Sequence, residues 1–395
     1  MSGPLQGIKI LDFSTLLPGP FATMMLGDLG AEILKVEAPH RPDLMRLSPP
    51  FDGGVSAGHM AVNRNKKSIA LDLKKPASID IVKKLVLHYD VLLEQFRPGV
   101  MDRLGLGYAT LEKVNPRLIY CSLTGYGQTG PYKDRAGHDI NYLALSGILS
   151  FSGRKEHGPV PQGVQIADVG AGSYNAVVSI LAAIIHRERT GEGQHLDVSM
   201  TDGCIGWTTL VATRYMVGGQ SPGYETEFLN GGSFYDCYRT KDGRYVSVGS
   251  IEPQFFQALC AGIGRPDLVG AQGWGMEPGD LWGPIKKEIA EIFASKTLEE
   301  WVAIFKDLDA CVEPVLTIGE MVEHPQVKAR NMVVAVRKPD GTTQRQINSA
   351  FKFSKTPPEI RSTGPALGEH TEEILRWLGY EDREIASLRG EGVFG

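Results

Sequence analysis

The chain has 395 residues, 42% of them apolar and 22% charged, with a formal charge of −5. This composition excludes a disordered chain and leaves room for a large core divided over two or three domains. The mild negative charge gives no basic footprint for nucleic acid, so an anionic ligand must be held by local Lys, Arg or helix N-termini.

The elements follow a strand–helix rhythm. Residues 8–13 alternate and are β-rich until Leu17-Pro-Gly-Pro20 stops them; 21–29 have helical spacing with Gly30 as the stop, and 31–37 form a second strand. A strand–helix–strand unit favours a parallel sheet with a right-handed crossover. The rhythm recurs as strand 68–73, amphipathic helix 78–89, strand 91–96, short helix 108–114 and strand 118–124. This is α/β architecture. Residues 125–165 are loop-rich, with a helix expected at 141–149. A long helix rich in small residues is expected at 168–188, then a strand at 195–200 and a helix at 202–216. Glycines cluster at 217–233. Beyond them the pattern predicts a hairpin around Lys241-Asp242-Gly243 and helices at 254–262, 281–293 and 298–308. After His324-Pro325 a strand is expected at 332–337 and closing helices at 371–378 and 382–388. The domain reading is a large domain of 1–216 and 330–395, a smaller α+β domain of 225–325, and linkers at 217–224 and 326–329.

The five cysteines are scattered without a Cys-x-x-Cys pair, so neither a metal site nor a disulfide framework is expected. Reduced thiols, no leading signal segment and a Gly-Val-Phe-Gly end that is no peroxisomal address suggest a cytoplasmic protein. The most apolar run, 176–185, is interrupted by Ser179 and is too short on its own to span a bilayer, so no membrane partner is expected. The first strand–helix unit lacks Gly-x-Gly-x-x-Gly and no Walker sequence occurs, which argues against nicotinamide or ATP as cofactor.

Three residues carry candidate chemistry. His138 lies in Gly137-His-Asp-Ile-Asn-Tyr142, where Asp139 and Asn141 could equally be turn-formers. Asp168 opens the long helix, where a carboxylate either caps the helix or, held ionised by the dipole and amides, serves as base or nucleophile. Glu252 precedes Pro253 after the hairpin and reads as a loop acid unless the small domain brings it to the others. Arg64, Lys66 and Lys67 form a basic cluster before a strand, and Arg97 ends an apolar strand, where ligands of open α/β sheets sit.

Leu17-Pro-Gly-Pro20, Leu26-Gly-Asp-Leu-Gly30, Phe96-Arg-Pro-Gly99, Leu104-Gly-Leu-Gly107, Thr124-Gly-Tyr-Gly-Gln-Thr-Gly130 and His186-Arg-Glu-Arg-Thr-Gly-Glu-Gly-Gln194 together resemble the class III CoA-transferase superfamily. The ordered match runs from residue 5 to about 378. Within it, Ala136–Tyr142, Gly249–Phe255, Asp309–Leu316 and Gly368–Leu375 are most similar to the alpha-methylacyl-CoA racemase branch. The resemblance implies a Rossmann-like large domain, a smaller α+β domain and a homodimer of interlocked subunits. It implies an acyl-CoA substrate, with coenzyme A as part of that substrate and no separate cofactor. It casts His138 and Asp168 as two bases and Glu252 as the acid that orients the histidine. Coenzyme and substrate contacts are implied at Ala70, Leu71, Asp72, Leu73, Gly137, Asp139, Ile140, Asn141 and Tyr142. Some racemases carry an Arg after the second strand for the coenzyme phosphate; Ala38 stands there in this chain, which turns attention to Lys35 and Arg97.

The reaction expected on this resemblance is inversion of the α-carbon of 2-methyl-branched acyl-CoA thioesters, through an enolate. One group removes the α-proton and the other delivers a proton to the opposite face. A backbone N–H near Asp168 is the expected enolate donor. The alternative is CoA transfer between carboxylic acids, with Asp168 forming an aspartyl-acyl anhydride and His138 uninvolved.

Overall fold

The computed structural model describes residues 3–271 and 282–395. The chain divides into two compact units: Met1–Leu145 with Gly163–Trp207 and Pro325–Gly395, and Ser146–Gln162 with Thr208–His324.

The first unit is built on six parallel strands: β1 (Lys9–Asp12), β2 (Glu32–Glu37), β3 (Lys66–Ala70), β4 (Val91–Glu94), β5 (Ile119–Thr124) and β6 (Gln194–Ser199). Their order is β6-β5-β4-β1-β2-β3. The chain winds outward from β1 to β3, then returns to the other side of β1 with β4. That reversal makes the gap between β1 and β4 the topological switch point, outside which ligands of doubly wound sheets bind. The central strands are apolar on consecutive residues (Ile10, Leu11; Val91, Leu92, Leu93) and wholly buried, as expected of strands covered on both faces.

Five helices matter for the site. Helix α1 (Pro18–Asp28) follows β1, with Pro at its start, where a missing N–H costs nothing. Helix α2 (Pro76–Val86) packs Ile81, Val82 and Leu85 on the sheet core. Helix α3 (Asp139–Leu145) starts two residues earlier and ends sooner than the apolar spacing suggested. Helix α4 (Ala167–Thr190) opens with a π-helical turn at Ala167–Tyr174 and continues as α-helix from Asn175. Gly191 closes it at φ 81°, donating its N–H to Arg187 O at 2.8 Å. By length and composition α4 as a whole, longer than the apolar run 176–185 within it, is long and apolar enough to cross a membrane. A helix tolerates one Ser in such a run, and here Ala176, Val177, Ile180 and Ala183 are buried in the unit. Helix α5 (Met200–Trp207) follows β6.

The second unit takes a short hairpin, Gly153–Arg154 with Gly158–Pro159, from its first segment, and its second segment begins with α6 (Thr209–Gly218), which the sequence had joined to α5. Both are apolar and periodic, so only the break at Thr208 separates them, and the composition shift at 217–224 comes after the change of unit. The expected hairpin is present: β7 (Asp236–Arg239) pairs antiparallel with β8 (Tyr245–Val248), with Gly243 at φ 78° in the turn. Helices α7 (Pro253–Gly262), α8 (Trp282–Phe293) and α9 (Leu298–Phe305) and a third strand, β9 (Val312–Pro314), complete it. Phe234, Tyr238, Phe256, Phe293 and Trp301 fill its core.

The tail returns to the first unit as a hairpin, β10 (Val333–Arg337) with β11 (Thr343–Ile347), and two helices, α10 (Thr371–Trp377) and α11 (Asp382–Gly390). Ile374, Leu375, Ile385 and Phe394 join the core beneath α2.

Candidate active site

His138 stands immediately before α3, where its carbonyl accepts the N–H of Asn141 at 2.8 Å. Its own N–H donates to Asn141 Oδ1 at 3.0 Å, so Asn141 holds the loop. Tyr142 is buried and donates its hydroxyl to Gly137 O at 2.6 Å. Its ring fills the space beside two glycines: an added Cβ would lie 2.5 Å from the ring at Gly125 and 2.7 Å from it at Gly137. These glycines are needed for close approach, and the result is a fixed loop with the His138 side chain on the outside.

Asp168 lies in the first turn of α4 and not at the cap, which is Ile166. Its N–H donates to Asp139 Oδ1 at 3.0 Å, so the residue after His138 grips the helix that carries Asp168. The charge of His138 acts on the Asp168 carboxyl. Burial pushes the Asp168 carboxyl up, Asp139 pushes it further, and His138 offsets part of the rise, leaving it at about 6. This corrects the expectation of a carboxylate held ionised by the helix start. The leading amide is spent on Asp139, and no donor among the described residues reaches the Asp168 carboxylate. Cys204 of α5 sits in the same field; burial pushes its thiol up to about 12, and Asp139 and Asp168 add to the shift.

The π-helical turn is built from small residues packed tightly on their neighbours. A Cβ at Gly170 would lie 2.6 Å from the Trp207 ring, and one at Gly172 would lie 3.0 Å from Met200 Cγ and 3.3 Å from Pro18 Cβ. The sequence shows the run of small residues but not its π register, which depends on these tertiary contacts.

The expected coenzyme residues separate into two groups. Ala70 and Leu71 are buried, and the N–H groups of Ala70, Leu71 and Asp72 are taken by Thr371 Oγ1, Glu37 O and Val393 O. Lys35 is fully buried; its Nζ donates to Ser14 O at 2.6 Å and pairs with Asp43 at 3.4 Å, so it is no phosphate anchor. The Arg64–Lys67 cluster is likewise committed: Arg64 pairs with Asp28, Lys66 with Asp12, and Lys67 with Glu373. Arg97 differs. It follows β4, is exposed, and its guanidinium has no partner among the described residues. Leu73 lines an open cleft of about 330 Å³ together with Lys74, Arg103 and Leu104. Lys74 escaped the sequence reading because it lies in an ordinary charged surface context, whereas Arg103 is among the basic residues that the sequence offers as anchors. Ile140 is exposed beside His138 and offers an apolar surface.

Glu252 belongs to the second unit. It precedes α7 in extended conformation, is exposed, and its carboxylate has no partner among the described residues. Gly249, three residues earlier, lines a cleft of about 690 Å³ with Tyr235, Cys237, Val248 and Cys311. Among the described residues no group of three or more His, Cys, Asp and Glu side chains could hold a metal.

The chain is similar to known proteins over nearly its whole length. The chain is 39% identical to alpha-methylacyl-CoA racemase of Homo sapiens, over 98% of this chain and 97% of that protein. It is 36% identical to succinyl-CoA:glutarate CoA-transferase of Homo sapiens, over 99% of this chain and 90% of that protein. Among solved structures, a CAIB/BAIF family protein from Brucella suis matches with a TM-score of 0.82 at 30% identity, covering 96% of this chain and 100% of that one. The model of CoA-transferase family III matches residues 5–371, and the chain belongs to that family.

Proposed function

We propose that the protein is a racemase that inverts the α-carbon of 2-methyl-branched acyl-CoA thioesters, with His138 and Asp168 as the two acid/base groups. The observation that carries this reading is the Asp168 carboxyl raised to about 6 by burial and Asp139, within the field of an exposed imidazole at His138. A carboxyl poised there holds both protonation states near neutrality, which suits a group that must give a proton in one direction and take one in the other. In one direction neutral His138 removes the α-proton and protonated Asp168 delivers; in reverse the roles exchange. The thioester acidifies the α-proton, so the reading needs no cofactor beyond the coenzyme A of the substrate.

The enolate oxygen needs a donor other than the Asp168 amide, which Asp139 occupies. On this reading the donor is the N–H of Asp139 or Ile140 at the start of α3, since the next two N–H groups, of Asn141 and Tyr142, go to His138 O. Arg97 is the coenzyme cation, because it alone of the expected cations is exposed and unpaired. Glu252 remains the proposed orienting acid. An interlocked homodimer is part of the proposal, and α6 supports it: none of its residues is buried, and Leu210, Tyr215, Met216 and Val217 are 51–86% exposed. An apolar helix this open calls for a partner surface.

CoA transfer stays as the second reading, because relatives of both activities share similar identity. There Asp168 attacks an acyl-CoA and His138 is idle. Incubation of 2-methyldecanoyl-CoA in D₂O separates them. The racemase exchanges the α-proton with no carboxylic acid acceptor present; a transferase requires the acceptor and leaves a hydroxylamine-sensitive acyl-enzyme. Undiminished exchange in His138→Ala would remove the imidazole from the mechanism.

A further inference from the structure

Ser173 is fully buried in the π-helical turn that carries Asp168. Its hydroxyl lies 2.6 Å from Pro18 O at the start of α1 and 3.1 Å from Asp168 O, five residues back along its own helix. A Ser that bonds back to its own helix is commonplace and bends helices slightly. The contact to Pro18 is of another kind. It spends the shared proton chiefly on a different element, at the carbonyl of the first residue of α1. The Pro18 corner is gripped from its other flank too: Gly19 N–H donates to Gln95 Oε1 at 3.0 Å. Gln95 follows β4, two residues before Arg97. One strut therefore runs across the switch point, from the Arg97 segment through Gln95, Gly19 and Pro18 to Ser173 and the carbonyl of Asp168.

We propose that Ser173 is a positioning residue for Asp168: its hydroxyl pins the π-helical turn to α1 and so fixes the direction in which the Asp168 carboxylate faces. The proposal rests on the acid/base role of Asp168 given above. The geometry shows why a pin is needed. A π-helical turn is rare and less favourable than α, and holds only where tertiary contacts impose it. Each residue of an α-helix turns by roughly 100°, so relaxation of the turn by one residue would swing Asp168 by about that angle relative to Asn175 and beyond. Tight packing at Gly170 and Gly172 leaves room for the turn, while the Ser173 hydroxyl is the polar contact that ties it to α1. Leu17-Pro-Gly-Pro20 thereby acquires a purpose in the chemistry, as the corner against which the acid/base helix is set.

The test uses the full-length enzyme and α-deuterium incorporation into 2-methyldecanoyl-CoA across pH 5–9. Ser173→Ala is expected to lower kcat by about ten-fold or more with KM held within about two-fold, since misplacement of a reacting group by an ångström costs on the order of a hundred-fold. The acid limb of the kcat profile should also move away from its wild-type midpoint, because the re-aimed carboxylate meets a different field. Ser173→Cys, which keeps a weaker donor of similar size, should fall between the two. Unchanged kcat in a folded Ser173→Ala enzyme overturns the proposal, and so does a lowered kcat with an unmoved acid limb. Should the alanine variant fail to fold, the cysteine variant is judged by the same criteria. Asp168→Asn is run alongside. If it retains exchange, the acid/base reading itself fails; if it is inactive while Ser173→Ala behaves as wild type, only the positioning role fails.

Discussion

Asp12 and Asp168 are the same side chain in the first unit, both drawn out of water, with opposite outcomes. Asp12 ends β1, wholly buried. Burial alone would push its carboxyl up, but Lys66 at 3.0 Å, the nearby Lys35, and the hydroxyls of Ser14 and Thr23 pull it well below the usual carboxylate range. Asp168 has no cation in hydrogen-bonding reach among the described residues and a like charge beside it, so burial wins and the carboxyl rises to about 6. Partners, rather than depth, decide whether a buried acid serves the fold or the chemistry. The sheet end spends its charges on one another; the helix start keeps one in reserve.

That contrast can be broken by substitution. The largest effect belongs to Asp168→Asn, which should reduce α-proton exchange by roughly 10²–10⁴-fold, the usual worth of a general acid/base. The same variant should be at least as stable as wild type at neutral pH. The folded value of about 6 lies above the unfolded value of about 3.9, so the stability tied to this proton is full below about pH 4 and is lost as pH rises through 6. Asparagine has no such loss. Urea midpoints of the two proteins should therefore diverge between pH 4 and 6 and run parallel above; a constant difference across that window would contradict the raised carboxyl.

Asp12→Asn should do the reverse, sparing the chemistry but lowering unfolding free energy by about 3–5 kcal/mol, because it strands a buried Lys66 without its counter-ion. Denaturant titration reads this directly. A smaller effect separates the two cations considered for the coenzyme. Arg97→Ala should raise KM for the acyl-CoA about ten-fold at constant kcat, near the worth of one charge-assisted hydrogen bond. Lys35→Met should leave KM alone and lower the melting temperature, since its ammonium faces Ser14 and Asp43. The least effect is expected at Lys67, whose 2.7 Å pair with Glu373 is exposed; Lys67→Ala should cost under about 1 kcal/mol.

The doubly wound half was legible in the sequence because its strands are short apolar runs and its helices carry clear stops, such as Gly30 and Gly191. His138 and Asp168 could be named from the order of motifs. Their electrostatics could not, because the helix position that should have kept Asp168 ionised depends on an amide that Asp139 takes from 29 residues away. Lys35 misled for a related reason. A lysine in the later half of a parallel strand faces either ligand or core, and only the fold shows Asp43 waiting for it. The break between α5 and α6 was hidden because both segments are apolar at helical spacing.

The π-helical turn also bears on how this chain tolerates change in length. Its ladder carries one residue more than an ordinary turn would. Losing a single codon between Val169 and Gly172 would let the helix run on in plain register and remove the aim of the carboxylate. Insertions and deletions are usually harmless in loops and ruinous in helices; here a one-residue deletion would cost the reaction its aim and also move Cβ atoms into the tight slots that Gly170 and Gly172 fill.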